Sequence, residues 1–181
     1  LLWDCGSTWV GIGARDIPDA LRALGAWRVR TLVVSHPNLD HYSGVLDVAR
    51  RIGLREVVAP RGFFDEADAD PLGPVAYTLA RLRAMGVAVR TAHAGDALTL
   101  GGARVEFLWP AEGFATEQAN DGSLVAQVRV PTEQGERVAL LLGDIEPAGI
   151  DAMVRTTGAL RADVVEAPHH GSARDRSIAF V

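Results

Sequence analysis

Five histidines occur in the chain, and four of them fall in two short clusters. The first is Ser35-His36-Pro37-Asn38-Leu39-Asp40-His41, which follows directly on the apolar, β-branched run Thr31-Leu32-Val33-Val34. The second is Pro168-His169-His170-Gly171-Ser172, directly after the stretch from Asp163 to Ala167. Between them Leu140-Leu141-Leu142-Gly143-Asp144 puts a carboxylate at the end of a third apolar run, and Asp4, ahead of Cys5 and Gly6, ends a fourth. Imidazole and carboxylate are the usual donors to transition metals, and one loop rarely wraps an ion alone, so ligands converge from separate segments. His36, Asp40, His41, Asp144, His169 and His170 form such a set. A divalent ion lowers the pKa of a bound water to roughly 7, so the chemistry on offer is hydrolysis without a protein nucleophile. His93, isolated in Ala92-His93-Ala94, reads as a surface or hairpin-edge residue.

Such a site needs a scaffold that delivers strand ends to one edge, as open α/β sheets do. Apolar runs of strand length alternate along the chain with segments of helical period, the pattern of a layered α/β architecture. Leu1 to Asp4 reads as a strand, and Ile17, Ala20, Leu21 and Leu24 recur at helical spacing before Gly25. A strand at Thr31 to Val34, a helix from Val45 to Ile52 stopped by Gly53, and a strand from Glu56 to Ala59 stopped by Pro60 follow. Arg61 to Pro74, acidic and carrying Gly, Asp and Pro, is expected to be a loop. Val75, Leu79, Leu82 and Met85 mark another helix before a strand at Val87 to Val89. Ala97 to Leu100, Gly101-Gly102 and Ala103 to Leu108 read as a hairpin. After a polar loop from Ala111 to Gly122 come strands at Leu124 to Val130 and Arg137 to Leu142, with a turn from Thr132 to Glu136. Ile150, Met153 and Val154 suggest a short helix, and Asp163 to Ala167 a last strand.

The 181 residues suit a single domain, with 48% hydrophobic and 23% charged residues, and exclude a disordered or low-complexity chain. One cysteine, Cys5, has no disulfide partner within the chain, and a thiolate zinc finger is excluded with it. The net charge of −5 gives no global attraction to nucleic acid, so a phosphate substrate would have to be caught locally. All 18 basic residues are arginine, whose planar fork suits phosphate, though a GC-rich genome is the simpler source of that bias. No apolar run is long enough to cross a bilayer. The chain opens without Met on the apolar Leu1-Leu2-Trp3 and closes on Ile178-Ala179-Phe180-Val181, and is read as a segment of a longer parent.

His36, Asp40 and His41 resemble the His-x-His-x-Asp-His motif of the metallo-β-lactamase superfamily, with Asn38 in place of the second histidine. With Gly44, Leu142-Gly143-Asp144-Ile145-Glu146, Pro168-His169-His170-Gly171-Ser172 and Asn120-Asp121-Gly122-Ser123-Leu124-Val125, the chain resembles the soluble domain of ComEC-type DNA-uptake proteins from Asp4 to Ser172. The resemblance implies an αβ/βα four-layer sandwich with a metal site at one edge, trimmed at both ends. In dinuclear members three histidines hold one of the two ions, and of these the chain keeps only His36. The implied site is therefore one tightly held ion, zinc or manganese, on Asp40, His41, Asp144 and either His169 or His170, with a second ion weak or absent. Asp40 and Asp144 become the catalytic carboxylates, Asp40 orienting or deprotonating the water. Asn38, Asn120, Ser123, Ser172 and Arg174, with Arg176 beyond it, would face the substrate.

The function so implied is phosphodiester cleavage of the non-imported DNA strand, with the DNA backbone and the membrane channel of the same parent as partners. The parent would sit in the cytoplasmic membrane with this domain outside the cytoplasm. A small ester or lactone metallohydrolase, and a non-catalytic DNA-guiding domain with a weakened metal site, are the other two readings.

Overall fold

The computed structural model describes residues 1–9, 11–158 and 160–172. They form a mixed α/β fold in two compact units that divide between Thr91 and Ala92. The first unit is built on a four-stranded parallel sheet in the order β1 (Leu2–Trp3), β2 (Thr31–Val33), β3 (Glu56–Ala59) and β4 (Ala88–Thr91). Parallel neighbours need crossovers. These are supplied by α1 (Ile17–Ala23), α2 (Leu39–Tyr42), α3 (Val45–Ile52), α4 (Arg61–Ala69) and α5 (Pro74–Ala84). The central strands β2 and β3 are buried almost throughout, as a continuous apolar run in a covered parallel sheet should be. Leu32, Val57, Phe63, Leu79 and Leu82 are the centre of this unit's core.

The helix α4 corrects the expected loop over Arg61 to Pro74, of which only residues 70–73 are irregular. Acidic composition hid a short apolar stripe. Phe63 and Ala67, four residues apart, are both buried, while Asp65, Glu66 and Asp68 face outward. Arg61 Nε donates to Asp65 Oδ1 at 2.7 Å on the exposed side, an i,i+4 pair that supports the turn.

The second unit carries a five-stranded sheet in the order β5 (Ala97–Leu100), β6 (Ala103–Trp109), β7 (Val125–Thr132), β8 (Gly135–Leu141) and β9 (Val164–Val165). The first four pair antiparallel, and β9 pairs parallel to β8 through α6 (Pro147–Thr157). Most strand limits shift by a residue or two from the sequence reading, and two of these shifts have a visible cause. The turn expected at Thr132 to Glu136 is narrower, because Pro131 pairs with Glu136 and Thr132 with Gly135. The last strand keeps two residues only, since Asp163 and Glu166 use their carboxylates to bind backbone N–H groups of Val138 and of Leu142 and Gly143. Trp109, Leu140, Leu142, Ile150 and Met153 fill this unit's core. Among the described residues no helix is long and apolar enough to cross a membrane.

Candidate functional site

In the first unit β1 and β2 run parallel, with Trp3 opposite Val33, so the residues that follow each strand emerge side by side. Asp4 leaves β1 directly, and Ser35 leaves β2 one residue later, after Val34. Asp4 Oδ1 accepts the Ser35 N–H at 2.7 Å, and Asp4 Oδ2 accepts the Ser35 hydroxyl at 2.7 Å. The same Oδ2 lies 2.8 Å from His41 Nδ1. A carboxylate can only accept, so His41 carries its hydrogen on Nδ1. Ser35 has one hydroxyl hydrogen and gives it to Asp4, so at its 3.0 Å contact with His36 Nδ1 the imidazole is the donor. Both rings are thereby held in the Nδ1–H tautomer, which leaves Nε2 as the electron-pair donor, the arrangement that orients metal-ligating histidines. The rings lie 4.1 Å apart at 51° and are buried.

Asp40 and His41 ride on α2, a single turn capped by Asn38 in extended conformation. Two glycines let the β1 loop press against it. A Cβ on Gly6 would fall inside the Asp40 and His41 backbone, and one on Gly44 would meet the Cys5 carbonyl. Cys5 N donates to His41 O at 2.9 Å and Gly44 N to Cys5 O at 3.1 Å. From the other side Tyr42 meets Phe63 of α4 edge-on at 5.2 Å. Burial and then the neighbouring Asp4 push the Cys5 thiol well above its ordinary range, so it stays an inert, protonated filler beneath the histidines.

In the second unit the parallel pairing of β8 with β9 repeats the device. The end of β8 leads to Asp144, 4% exposed, and the end of β9 to His169 and His170. Glu166 Oε2 accepts Leu142 N at 2.8 Å and Gly143 N at 3.0 Å, tying the two exits together. His169 N donates to Gly143 O at 3.1 Å. His170 Nε2 stands 3.4 Å from Asp144 Oδ2 and His169 Nε2 4.0 Å from it, while His169 Nδ1 faces Glu146 Oε1 at 3.7 Å. Both histidines adopt positive φ, 47° and 55°. Ser172 N closes the turn on His169 O at 2.9 Å.

The structure thus gathers His36, Asp40 and His41 in one unit, and Asp144, His169 and His170 in the other. Asn120 donates its amide to Glu146 Oε1 at 2.8 Å, and Asp121 Oδ1 accepts Gly149 N at 2.8 Å, which pins that turn to the start of α6. Ser123 is fully buried, and its hydroxyl has no hydrogen-bond partner among the described residues. His93 sits between β4 and β5, where its Nδ1–H donates to Ala94 O. Arg174 and Arg176 lie outside the described residues. Sequence reasoning overlooked Ser35, Glu146 and Glu166 and noted Asp4 only as a strand end. Their common signal is position, since each is the first polar residue to leave an apolar strand or stands two residues from a proposed ligand.

The donors in each unit are imidazole nitrogen and carboxylate oxygen, the mixture that zinc and manganese both accept. With the Nε2 lone pairs of His36 and His41 set by Asp4 and Ser35, the residues present fit a divalent ion. A family model for the metallo-beta-lactamase superfamily matches residues 1–177. ComE operon protein 3 of Bacillus subtilis (strain 168) is 25% identical over 170 residues, covering 94% of this chain but only 20% of that protein. Among solved structures, Rm3 metallo-beta-lactamase superposes with a TM-score of 0.64 at 18% identity, covering 95% of this chain and 69% of that one. MEM-A1, a subclass B3 enzyme from a soil metagenome library, gives 0.62 at 20% identity over 90% and 66%. The chain spans a fifth of its curated relative and about two thirds of these enzymes. By the family match and the shared fold, this chain belongs to the metallo-β-lactamase superfamily and is a metal-dependent hydrolase-like domain of it.

Proposed function

We propose that the domain cleaves phosphodiester bonds in DNA as part of a DNA-uptake protein. One tightly held zinc or manganese would rest on Asp40, His41, Asp144 and one of His169 and His170. The observation that carries the metal assignment is the Asp4 and Ser35 network, which holds His36 and His41 in the tautomer whose Nε2 is the electron-pair donor. The similarity to ComE operon protein 3 along nearly the whole chain supports the uptake setting. A bound divalent ion would supply Lewis-acid chemistry, polarising a phosphoryl oxygen and allowing water to attack at neutral pH.

The chain's own residues do the rest. Asp40, carried on the rigid α2 turn, orients the attacking water and takes its proton. Asp144 is buried and held by the Glu166 tie behind it, so its carboxylate enters the site preorganised. The Ser123 hydroxyl and the Asn120 amide donate to a non-bridging oxygen, and Arg174 and Ser172 hold the phosphate backbone. Asn38, a neutral amide where dinuclear relatives have histidine, leaves the second ion weakly held or absent. A non-catalytic guiding domain is the reading to beat, because so few of the dinuclear ligands are kept.

The test is degradation of linear DNA with added zinc or manganese. Metal-dependent cleavage that is lost in Asp40→Ala supports the proposal. Salt-sensitive DNA binding without cleavage, or turnover of a chromogenic lactone in place of DNA, overturns it. Native mass spectrometry showing two tightly bound ions would refute the single-ion assignment.

A further inference from the structure

The parallel sheet of the first unit has a second edge, where its strands begin, opposite the edge at which Asp4, Ser35 and His36 leave it. In a parallel sheet each crossover helix must return the chain to that edge. α1 leads to β2, α3 to β3 and α5 to β4, and α3 packs against both of the other helices. The three connections therefore lie side by side. Their backbones are joined as well, since Arg30 O accepts Arg55 N at 2.8 Å and Arg55 O accepts Ala88 N at 2.9 Å.

Charge at this edge has one sign. The stretches 20–31, 48–55 and 80–91 hold no aspartate or glutamate. Arg28, Arg30, Arg51, Arg55, Arg81 and Arg83 lie on them, are exposed, and form no ion pair among the described residues. The acid that does stand at a strand entry, Glu56, is taken by Arg90 Nε at 2.7 Å. Arginine in the last turn of a helix answers the helix dipole, which accounts for Arg51, Arg81 and Arg83. It does not account for Arg28, Arg30 and Arg55, which lie beyond the helix ends. With a net charge of −5 on the whole chain, composition does not explain the concentration either.

The complement of such a surface is a polyanion, and the apolar groups on it decide which one. The connection after α1 is the longest, residues 24–30 against 53–55 and 85–87. It carries Leu24, 81% exposed, and Trp27, 71% exposed, with Arg28 and Arg30 directly following. Nucleic acid offers phosphate to arginine and ring faces to Trp27, but nothing to an aliphatic side chain such as Leu24. The face of an anionic bilayer suits all three, with headgroup phosphates for guanidinium, the headgroup level for indole and acyl chains for leucine. We propose that the strand-entry edge of the first unit docks on an anionic lipid bilayer, with Leu24 and Trp27 inserted and the arginines on lipid phosphates. β3 has four residues and is about 13 Å long, so a docked unit turns Asp4, Ser35 and His36 away from the lipid. The inference goes beyond the reading of DNA as substrate and shares no residue with it.

The test is flotation of the whole chain with vesicles of phosphatidylglycerol and phosphatidylcholine, beside vesicles of phosphatidylcholine alone. The mixed vesicles should carry the chain at low salt and release much of it at high salt. Arg30→Ser combined with Arg55→Ser should weaken partitioning about 25-fold, at about fivefold per arginine. Arg155→Ser combined with Arg161→Ser removes the same charge from exposed positions of the second unit and should cost less than about threefold. Leu24→Ser combined with Trp27→Ser should weaken partitioning about tenfold or more. Brominated acyl chains should quench the fluorescence of the parent chain more than that of Trp27→Phe. All of these side chains are exposed, so the fold should survive their replacement, and an unchanged thermal melt confirms it. Equal binding to phosphatidylcholine alone, an equal effect of the two arginine pairs, or undiminished partitioning without Leu24 and Trp27 overturns the proposal. So does binding of oligonucleotides that depends on Arg30 and Arg55 while vesicles are ignored, which would assign the edge to nucleic acid. Vesicle binding without DNA cleavage on adding metal would instead refute the nuclease reading and leave the docking surface standing.

Discussion

Replacing Asp4 by asparagine tests the orientation of His36 and His41, the histidines proposed to face the metal. Asp4 has φ 50°, a left-handed conformation that asparagine adopts readily, so the backbone is not the perturbation. What changes is the face turned to Ser35 and His41. Oδ2 now accepts the Ser35 hydroxyl at 2.7 Å and the His41 Nδ1–H at 2.8 Å, and its side chain is 18% exposed. An amide nitrogen in that place presents hydrogens to two donors. The cheapest repair moves the His41 proton to Nε2, which removes the lone pair a metal requires and frees the Ser35 hydroxyl to turn from His36. Loss of such a supporting partner lowers metal affinity by about 10- to 100-fold, or about 1.4 to 2.7 kcal/mol. Three hydrogen bonds to a carboxylate are weakened as well, and about 2 to 4 kcal/mol of stability should be lost with them. The assay is a zinc titration against a chromogenic chelator, run beside urea unfolding of the metal-free protein. Asp4→Asn that keeps zinc affinity within about threefold of the parent, while folded, refutes the tautomer argument.

His169 is expected to be the ligand of its pair, because Glu146 faces its Nδ1 and it is 31% exposed against 62% for His170. His169→Asn should lower zinc affinity by more than the hundredfold ceiling of a supporting residue and His170→Asn by much less, with the opposite order in the same titration as the refuting result. Phe63→Ala, in the core of α4, should lower stability by about 3 to 5 kcal/mol in urea, and a loss below 1 kcal/mol would return Arg61 to Ala69 to the loop expected from sequence. Asp163 is held below its ordinary value of 3.8, first by the Val138 N–H and then by Arg137. Its contribution is therefore present above that value and fades as pH falls through the lowered pKa, so Asp163→Asn should lower stability at neutral pH, change it little at pH below the lowered pKa, and thereby flatten the acid limb of a urea-unfolding stability profile.

The candidate ligands stand out in the sequence because their residue types are chemically rare and sit where strands end. His36, Asp40 and His41 could be read from spacing alone, since the run from Thr31 to Val34 is too apolar and β-branched to be anything but a buried strand. Val45 to Ile52 was equally plain, with Gly53 ending it at φ 71°. What stayed hidden is tertiary. Whether Asp65, Glu66 and Asp68 belong to a loop or to the wet face of a helix depends on a pocket for Phe63, and Tyr42 is part of what supplies it. Ser35 carries no signal of its own in the sequence because its value lies in meeting Asp4, thirty-one residues away, across a parallel register. Glu166 was hidden inside an expected strand for a similar reason, since its carboxylate replaces ladder bonds that a longer β9 would have made.

Among the described residues, the non-glycine positions with positive φ are Asp4, His169 and His170, and all three lie at the proposed site or support it. Each such conformation costs about 1 to 3 kcal/mol, and glycine would remove most of that cost. Neighbouring turns in this chain do use glycine, at Gly143 and Gly171. Keeping side chains at the three strained positions therefore sacrifices stability in return for specific groups, a carboxylate on Ser35 and His41 and two imidazoles beside Asp144. Fold maintenance alone would not favour that exchange. The compensation is visible nearby, in the Ser35 N–H bond that holds Asp4 and in the Gly143 carbonyl that accepts from His169. Side chains retained at these three positions therefore favour the proposed role of the strand ends in holding a metal over a role in fold maintenance alone.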